Sequence, residues 1–241
     1  MRYLKLRTNT KPRACGRASV TPLIVDAPRK FAKQKKETPL QRKRCQLITG
    51  AHDCGKSRWL NRLHEGWKPI WGAKVKASPV YLGALQPVST WTDQLHVENW
   101  FDRQPSVDKT RPNRKWQSLN QQQRADQLEH YLAATGALLF IDDAHRLTGR
   151  KLQIARLCLI SSKIWLVASA AENRLPPNVR PIIERRDPQR IKLSTDASYD
   201  ATSTLMWGMV FVALVIGWWE VSLVLGGLKM LGSGRRAARP D

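Results

Sequence analysis

The segment Cys45-Gln46-Leu47-Ile48-Thr49 followed by Gly50-Ala51-His52-Asp53-Cys54-Gly55-Lys56-Ser57 constrains the fold more than any other part of the chain. A short apolar run predicts a buried strand, and it passes without a break into G-x-x-x-x-G-K-S, the spacing of a phosphate-cradling loop. Gly50 and Gly55 permit backbone angles and close approaches that a Cβ would hinder. Backbone N–H groups of the loop and of the next helix then converge on phosphate oxygens. Gly50, Ala51, His52, Asp53, Cys54, Gly55, Lys56 and Ser57 are therefore the candidate nucleotide-binding set. In such a loop Lys56 reaches the β- and γ-phosphates and the Ser57 hydroxyl ligates Mg²⁺. The apolar residues Trp59, Leu60 and Leu63 that follow recur at helical spacing, as the loop requires. The bland alternative, a glycine turn with a surface lysine, explains neither flank.

A second signal lies downstream. Ala137-Leu138-Leu139-Phe140-Ile141 leads into Asp142-Asp143-Ala144-His145-Arg146-Leu147. Two carboxylates at the C-terminal end of a buried strand sit where ligands of an open α/β sheet gather. Asp142 is placed to hold Mg²⁺ through its water shell, and Asp143 to orient or deprotonate an attacking water. A helix N-cap after an ordinary strand is the alternative, and the upstream loop argues against it.

Between residues 41 and 195, short apolar runs alternate with longer polar segments. Strands are expected at Gln46–Thr49, Val80–Leu85, Ala137–Asp142, Ile164–Ser169 and Arg190–Leu193. Helices are expected at Lys56–Glu65, Thr92–Phe101, Leu119–Ala134, Arg150–Ile160 and Asn178–Arg185. The alternation predicts an α/β fold, a parallel sheet with helices on both faces. Arg103 to Lys115 reads as a polar, basic surface loop.

These residues resemble the AAA+ ATPases, in particular compact ATPases of mobile elements and membrane machines such as the TniB and MuB transposition regulators and the ExeA-type secretion ATPases. The resemblance rests on Gly50–Ser57 and on Leu-Phe-Ile-Asp-Asp-Ala-His-Arg-Leu, and extends over about residues 40–195. It implies a P-loop NTPase of the ASCE type, working as a homo-oligomer, with ATP and Mg²⁺ as ligands. In that family a further strand lies between the two motifs, a place Val80–Leu85 can fill. It implies a sensor of the γ-phosphate at Ser169, although a serine ending a strand is also ordinary turn chemistry. It places an arginine finger near Arg185 or Arg186, where structural pairing or DNA contact is an equal reading. Two departures stand out: Asp143 occupies the position of the family's usual glutamate base, and the helical lid after the last strand is missing. No Asn-Lys-x-Asp guanine-reading motif occurs, which favours ATP over GTP.

The formal net charge of the 241 residues is +22, from 41 Lys and Arg against 19 Asp and Glu. Such an excess predicts attraction to phosphate backbones or anionic lipid headgroups. Residues 1–40, interrupted by Pro12, Pro22, Pro28 and Pro39, read as a flexible basic arm that binds nucleic acid, DNA above all, without sequence preference, or faces lipid. No continuous apolar leader opens the sequence. Cys15, Cys45, Cys54 and Cys158 form no C-x-x-C pair or zinc-type cluster and read as reduced thiols; Cys54 lies inside the loop, where alkylation would block nucleotide.

After a linker at 196–204, residues 205–228 are apolar on all sides except for Glu220. At about 1.5 Å per residue a helix of this length spans about 36 Å, enough for a hydrocarbon core of about 30 Å. It reads as a transmembrane-type helix, the alternative being a buried last helix of a soluble protein. Residues 229–241 form a basic tail. Lys and Arg flank both ends, so charge does not orient the span; an ATP-using domain faces the cytoplasm. The combined expectation is a membrane-anchored ATPase that powers or gates a nucleic-acid-linked process such as DNA transfer, packaging or assembly. The alternative is a nucleotide-gated tether that recruits DNA or a partner with little turnover.

Overall fold

The computed structural model describes residues 2–9, 19–27, 35–52, 54–104, 115–193, 208–212 and 215–218. The chain forms two compact units, Met1–Thr195 and Asp196–Asp241.

The first unit is built on five strands, β4 (Gln46–Thr49), β5 (Val80–Gly83), β6 (Leu138–Asp142), β7 (Ile164–Ser169) and β8 (Gln189–Lys192). They pair in parallel in the order β5-β6-β7-β4-β8. The phosphate-loop strand β4 is thus flanked by β7 and β8, and the strand that separates it from the Asp142 strand is Ile164–Ser169. Val80–Gly83 lies instead at the sheet edge, two residues shorter than its expected run: the Ala84 N–H still donates to the Asp142 carbonyl at 3.1 Å, but a turn closed by the Gln86 N–H on the Gly83 carbonyl ends the strand.

Alternating strand residues divide the core into two layers, as the pleat requires. Leu47, Leu139, Ile141, Trp165 and Val167 pack toward α3 (Val88–Thr92), α4 (Leu95–Asp102), α5 (Gln121–Thr135), α6 (Gly149–Ser161) and α7 (Arg180–Arg185). Ile48, Leu138, Phe140, Leu166 and Ala168 pack toward α1 (Lys56–Glu65) and α2 (Trp67–Trp71). A run buried on both faces in this way reads as continuously apolar, as the β6 and β7 segments do. The helix expected over Thr92–Phe101 is split into α3 and α4 at Asp93 and Gln94. There the Gln94 side chain donates to the Tyr81 and Trp91 carbonyls, at 3.2 and 2.8 Å, from an extended backbone. It gives edge strand β5 a partner at Tyr81 beyond its strand neighbour. Helix α5 starts with a reciprocal Asn120–Gln123 capping box and stops at Gly136, whose φ of 63° suits glycine.

The basic arm expected over residues 1–40 is corrected by β1 (Arg2–Asn9), β2 (Ser19–Asp26) and β3 (Lys36–Pro39), a three-stranded antiparallel sheet in that order. Leu4 and Ile24 are buried with α1 and α2 residues such as Leu60, Leu63, Ile70 and Trp71. The small sheet therefore covers a face that two short helices leave open. Arg2 pairs with Asp26 and Lys5 with Glu37, and Arg42 donates to the carbonyls of Ile70 and Val20, tying the sheet to α2. The prolines read as breakers are accommodated: Pro22 lies opposite Leu6 where the β2–β3 pairing has ended, and Pro39 closes β3. The remainder of the arm, at 10–18 and 28–34, lies outside the described residues, as does most of the expected loop, at 105–114.

In the second unit residues 208–212 are helical. Among the described residues no helix is long and apolar enough to cross a membrane. The transmembrane-type helix expected at 205–228 thus has no counterpart there, and all of it but 208–212 and 215–218 lies outside the described residues.

Candidate nucleotide site

The chain leaves β4 toward α1 on one face of the sheet, whereas the connections after β5, β6 and β7 pass through helices on the other. The C-terminal ends of β4 and β7 therefore flank a switch point, where open α/β sheets bind ligands. The phosphate loop fills it. Gly50 cannot carry a side chain, since a Cβ there would meet the Cys54 sulfur and the Leu193 carbonyl oxygen, both at 2.6 Å. Gly55 has a φ of 85° and opens α1, with free space where a Cβ would be, so its requirement is conformational.

Lys56, the first residue of α1, is only 7% exposed. Its ammonium donates to the carbonyls of Gly50 at 2.8 Å and Ala51 at 2.7 Å and to the Cys54 sulfur at 3.8 Å. Among the described residues no carboxylate pairs with it, so a buried cation is held by dipoles alone. A buried charge is stable when paired, which is what a phosphate would supply. His52, Gly55, Lys56, Ser57, Arg58 and Asp143 line a cavity of about 340 Å³. Both sequence motifs thus reach one cavity. Arg58, outside both sequence motifs, adds a second cation to its wall.

Asp142 ends β6. Its Oδ1 accepts the Asp143 N–H at 3.0 Å and its Oδ2 accepts the Tyr81 hydroxyl at 3.2 Å. Burial, reinforced by the charges of Asp142 and Asp143, pushes the Tyr81 phenol well above its usual pKa and keeps it a donor. Asp143 has a φ of 52°, a left-handed geometry that Asp tolerates better than most residues, and its carbonyl accepts the Arg146 N–H at 2.8 Å. The Ala170 N–H donates to His145 Nδ1 at 3.2 Å, and the Ala170 carbonyl accepts the Gly50 N–H at 3.2 Å. One residue, Ala170, thus links the Asp-Asp turn to the start of the phosphate loop. Burial, with the positive charges of Arg146, Lys56 and Arg174, holds His145 below its ordinary pKa against the pull of Asp143. Neither Tyr81 nor His145 carried a spacing signal that marked it.

The other expected residues lie elsewhere. Ser169 pairs in register with Thr49, one residue before the loop, but it is fully buried and donates to the Ala171 carbonyl at 2.9 Å. It does not line the cavity. Arg186 donates to the carbonyls of Ser162, Lys163 and Ile160 at 2.9, 3.2 and 3.1 Å, which caps the C-terminus of α6 before β7 begins. That is the N-terminal end of β7, whereas the cavity lies at the C-terminal ends of the strands. Arg185 is exposed at the end of α7. Asp53 lies outside the described residues. Cys45, Cys54 and Cys158 are free thiols, all buried.

The donor set fits a Mg²⁺–nucleotide complex. Among the described residues no group of three or more His, Cys, Asp or Glu could cage a metal ion. Ser57 lines the cavity and Asp142 stands one residue before the lining Asp143; one hydroxyl and one carboxylate would leave most of a coordination shell to waters and phosphate oxygens, as Mg²⁺ prefers.

No family model and no curated protein matches the chain. Among solved structures, Cdc6p from Pyrobaculum aerophilum is similar at 20% identity over 62% of this chain and 38% of its own, with a TM-score of 0.37. A DNA replication initiation factor is similar at 13% identity over 81% of this chain and 59% of its own, with a TM-score of 0.39. The chain spans less than two thirds of the length of either.

Proposed function

We propose that the chain is a P-loop ATPase of AAA+ type that binds ATP with Mg²⁺ and hydrolyses its β–γ phosphoanhydride bond. The observation that carries this reading is the buried Lys56 ammonium, which has no carboxylate partner among the described residues, at a cavity that Asp143 also lines. Lys56 would turn from the loop carbonyls to the phosphates, and the backbone N–H groups at the start of α1 would bind their oxygens. Ser57 and Asp142 would hold the metal, which supplies charge neutralisation to the transferring phosphoryl group. Asp143 would orient the attacking water and accept its proton. An arginine from a neighbouring copy, Arg185 or Arg186, belongs to the same reading, with Arg186 first giving up its hold on α6.

The reading extends to a homo-oligomer whose ATPase domain faces the cytoplasm, anchored at a membrane through 205–228 and acting on nucleic acid, DNA above all. The net charge of +22 supports the nucleic-acid partner. The anchor is supported by the apolar composition of 205–228 and by the exposure of Met209, Phe211, Val212, Val215, Ile216 and Trp218. A second reading, a nucleotide-gated tether with little turnover, is favoured by Asp143 itself, one methylene shorter than glutamate. Phosphate release by the full-length protein separates the two. Turnover lost in both Lys56→Ala and Asp143→Asn supports the ATPase; ATP binding with turnover no higher than in Lys56→Ala supports the tether.

A further inference from the structure

Tyr81 stands on edge strand β5, in register with Phe140 and two residues before Gly83, the partner of Asp142. Its hydroxyl reaches Asp142 Oδ2 at 3.2 Å, while the Asp143 N–H occupies Oδ1 at 3.0 Å. Both carboxylate oxygens are therefore held, and the plane of the Asp142 carboxylate is fixed from two sides. Tyr81 is itself fixed. The Gln94 side chain brackets its backbone, accepting from its N–H at 3.4 Å and donating to its carbonyl at 3.2 Å. The His64 ring packs edge-on against the rings of Tyr81 and Phe140, with centroids 5.3 and 5.4 Å away. His64 belongs to α1, the helix that begins with Lys56 and Ser57. A continuous path of contacts thus runs from the helix that carries the phosphate-loop lysine, through His64 and Tyr81, to the carboxylate of the second motif.

We propose that Tyr81 is a positioning residue for the metal site: its hydroxyl presets the Asp142 carboxylate for the water shell of Mg²⁺. This rests on the ATPase or nucleotide-binding reading above, and concerns a residue outside both motifs. The partners that orient metal ligands typically tune metal affinity by about tenfold or more. A hydroxyl–carboxylate bond is well suited to that task, since it constrains the ligand without competing for the metal. Removing the hydroxyl leaves Asp142 free to rotate and lets one oxygen take water in place of the phenol. The cost falls on metal binding and leaves the phosphate contacts of Lys56 and the loop untouched.

The test uses the full-length protein and Tyr81→Phe, which keeps the ring against His64 and removes one oxygen. Mn²⁺ binding in the presence of a non-hydrolysable ATP analogue is followed by electron paramagnetic resonance, and affinity for the same analogue is measured separately without metal. The expected result is Mn²⁺ affinity about tenfold weaker in Tyr81→Phe, with metal-free analogue affinity equal to wild type. Equal Mn²⁺ affinity in the two proteins overturns the inference and leaves the nucleotide-site reading standing. Loss of metal-free analogue binding in Tyr81→Phe also overturns it, by showing a purely structural role. A wild-type protein that binds neither the analogue nor Mn²⁺ with it overturns both the inference and the reading on which it rests.

Discussion

Lys56, Asp142 and Asp143 are ordinary residues given unusual surroundings. Lys56 is buried against carbonyls, Asp142 has both oxygens engaged, and Asp143 holds a left-handed backbone. Each was legible in the sequence because a one-dimensional spacing marked it. Their supports were not: Tyr81, Gln94 and His145 act across 13 to 61 positions of chain, and no local pattern encodes such contacts. The histidines carry a prediction of their own. Burial lowers the pKa of His64 and His145, and lowers that of His96 to about 4 with a further push from His64. His96 Nε2 is also buried without a hydrogen-bond partner. A histidine depressed in the folded state and near 6.5 when unfolded binds protons more readily in the unfolded chain. Its contribution to stability is therefore complete above about pH 6.5 and is lost as pH falls toward 4. Urea unfolding between pH 7.5 and 5 should show falling stability, and His96→Gln should flatten that slope. A slope unchanged by the substitution would remove His96 from this account.

At the scale of elements, the parallel strands lie within a residue or two of their expected places; β6 and β7 are plain in the sequence because they are buried on both faces, whereas edge strand β8 buries only Ile191. The N-terminal sheet was missed for an equally physical reason. Arg2-Tyr3-Leu4-Lys5-Leu6-Arg7 alternates apolar and polar residues from Leu4 onward, as a half-buried strand does, but its charge and the nearby prolines pointed to an unfolded arm. The outcome was decided by what the sequence does not display: α1 and α2 are too short to cover their face of the main sheet. Leu4 and Ile24 complete that layer. Truncating Ile24 to Ala should then cost about 3 kcal/mol, the usual penalty for opening a core cavity, measured by chemical denaturation. A cost near zero would return residues 1–40 to the role of a detached arm. The arginines that follow β7 show how packing adds to what element order suggests. The order of the elements put Arg186 near a finger position, whereas packing put it on the carbonyls that end α6.

For the whole molecule, sequence and structure constrain different halves of the account. The sheet order and the switch point give the nucleotide site its place; the alternating strands and helices announced a parallel sheet, but not the order of its strands. Charge and the apolar C-terminal run bear on partners and location, which a fold does not determine. The membrane reading predicts that full-length protein stays in the pellet after lysis without detergent and resists extraction with high salt and alkaline carbonate. Release by salt alone would leave electrostatic attachment in its place, and recovery in the supernatant would remove the anchor. None of these outcomes touches the central claim, that Gly50–Ser57 and the Asp142–Asp143 turn form one nucleotide site. Equilibrium binding of ATP with Mg²⁺ to the full-length protein and to Lys56→Ala tests that claim most directly. The account predicts binding by the wild type and affinity at least about tenfold weaker in the variant, as loss of a charge-assisted contact requires. Equal affinity in the two proteins, or no binding by the wild type, would contradict it.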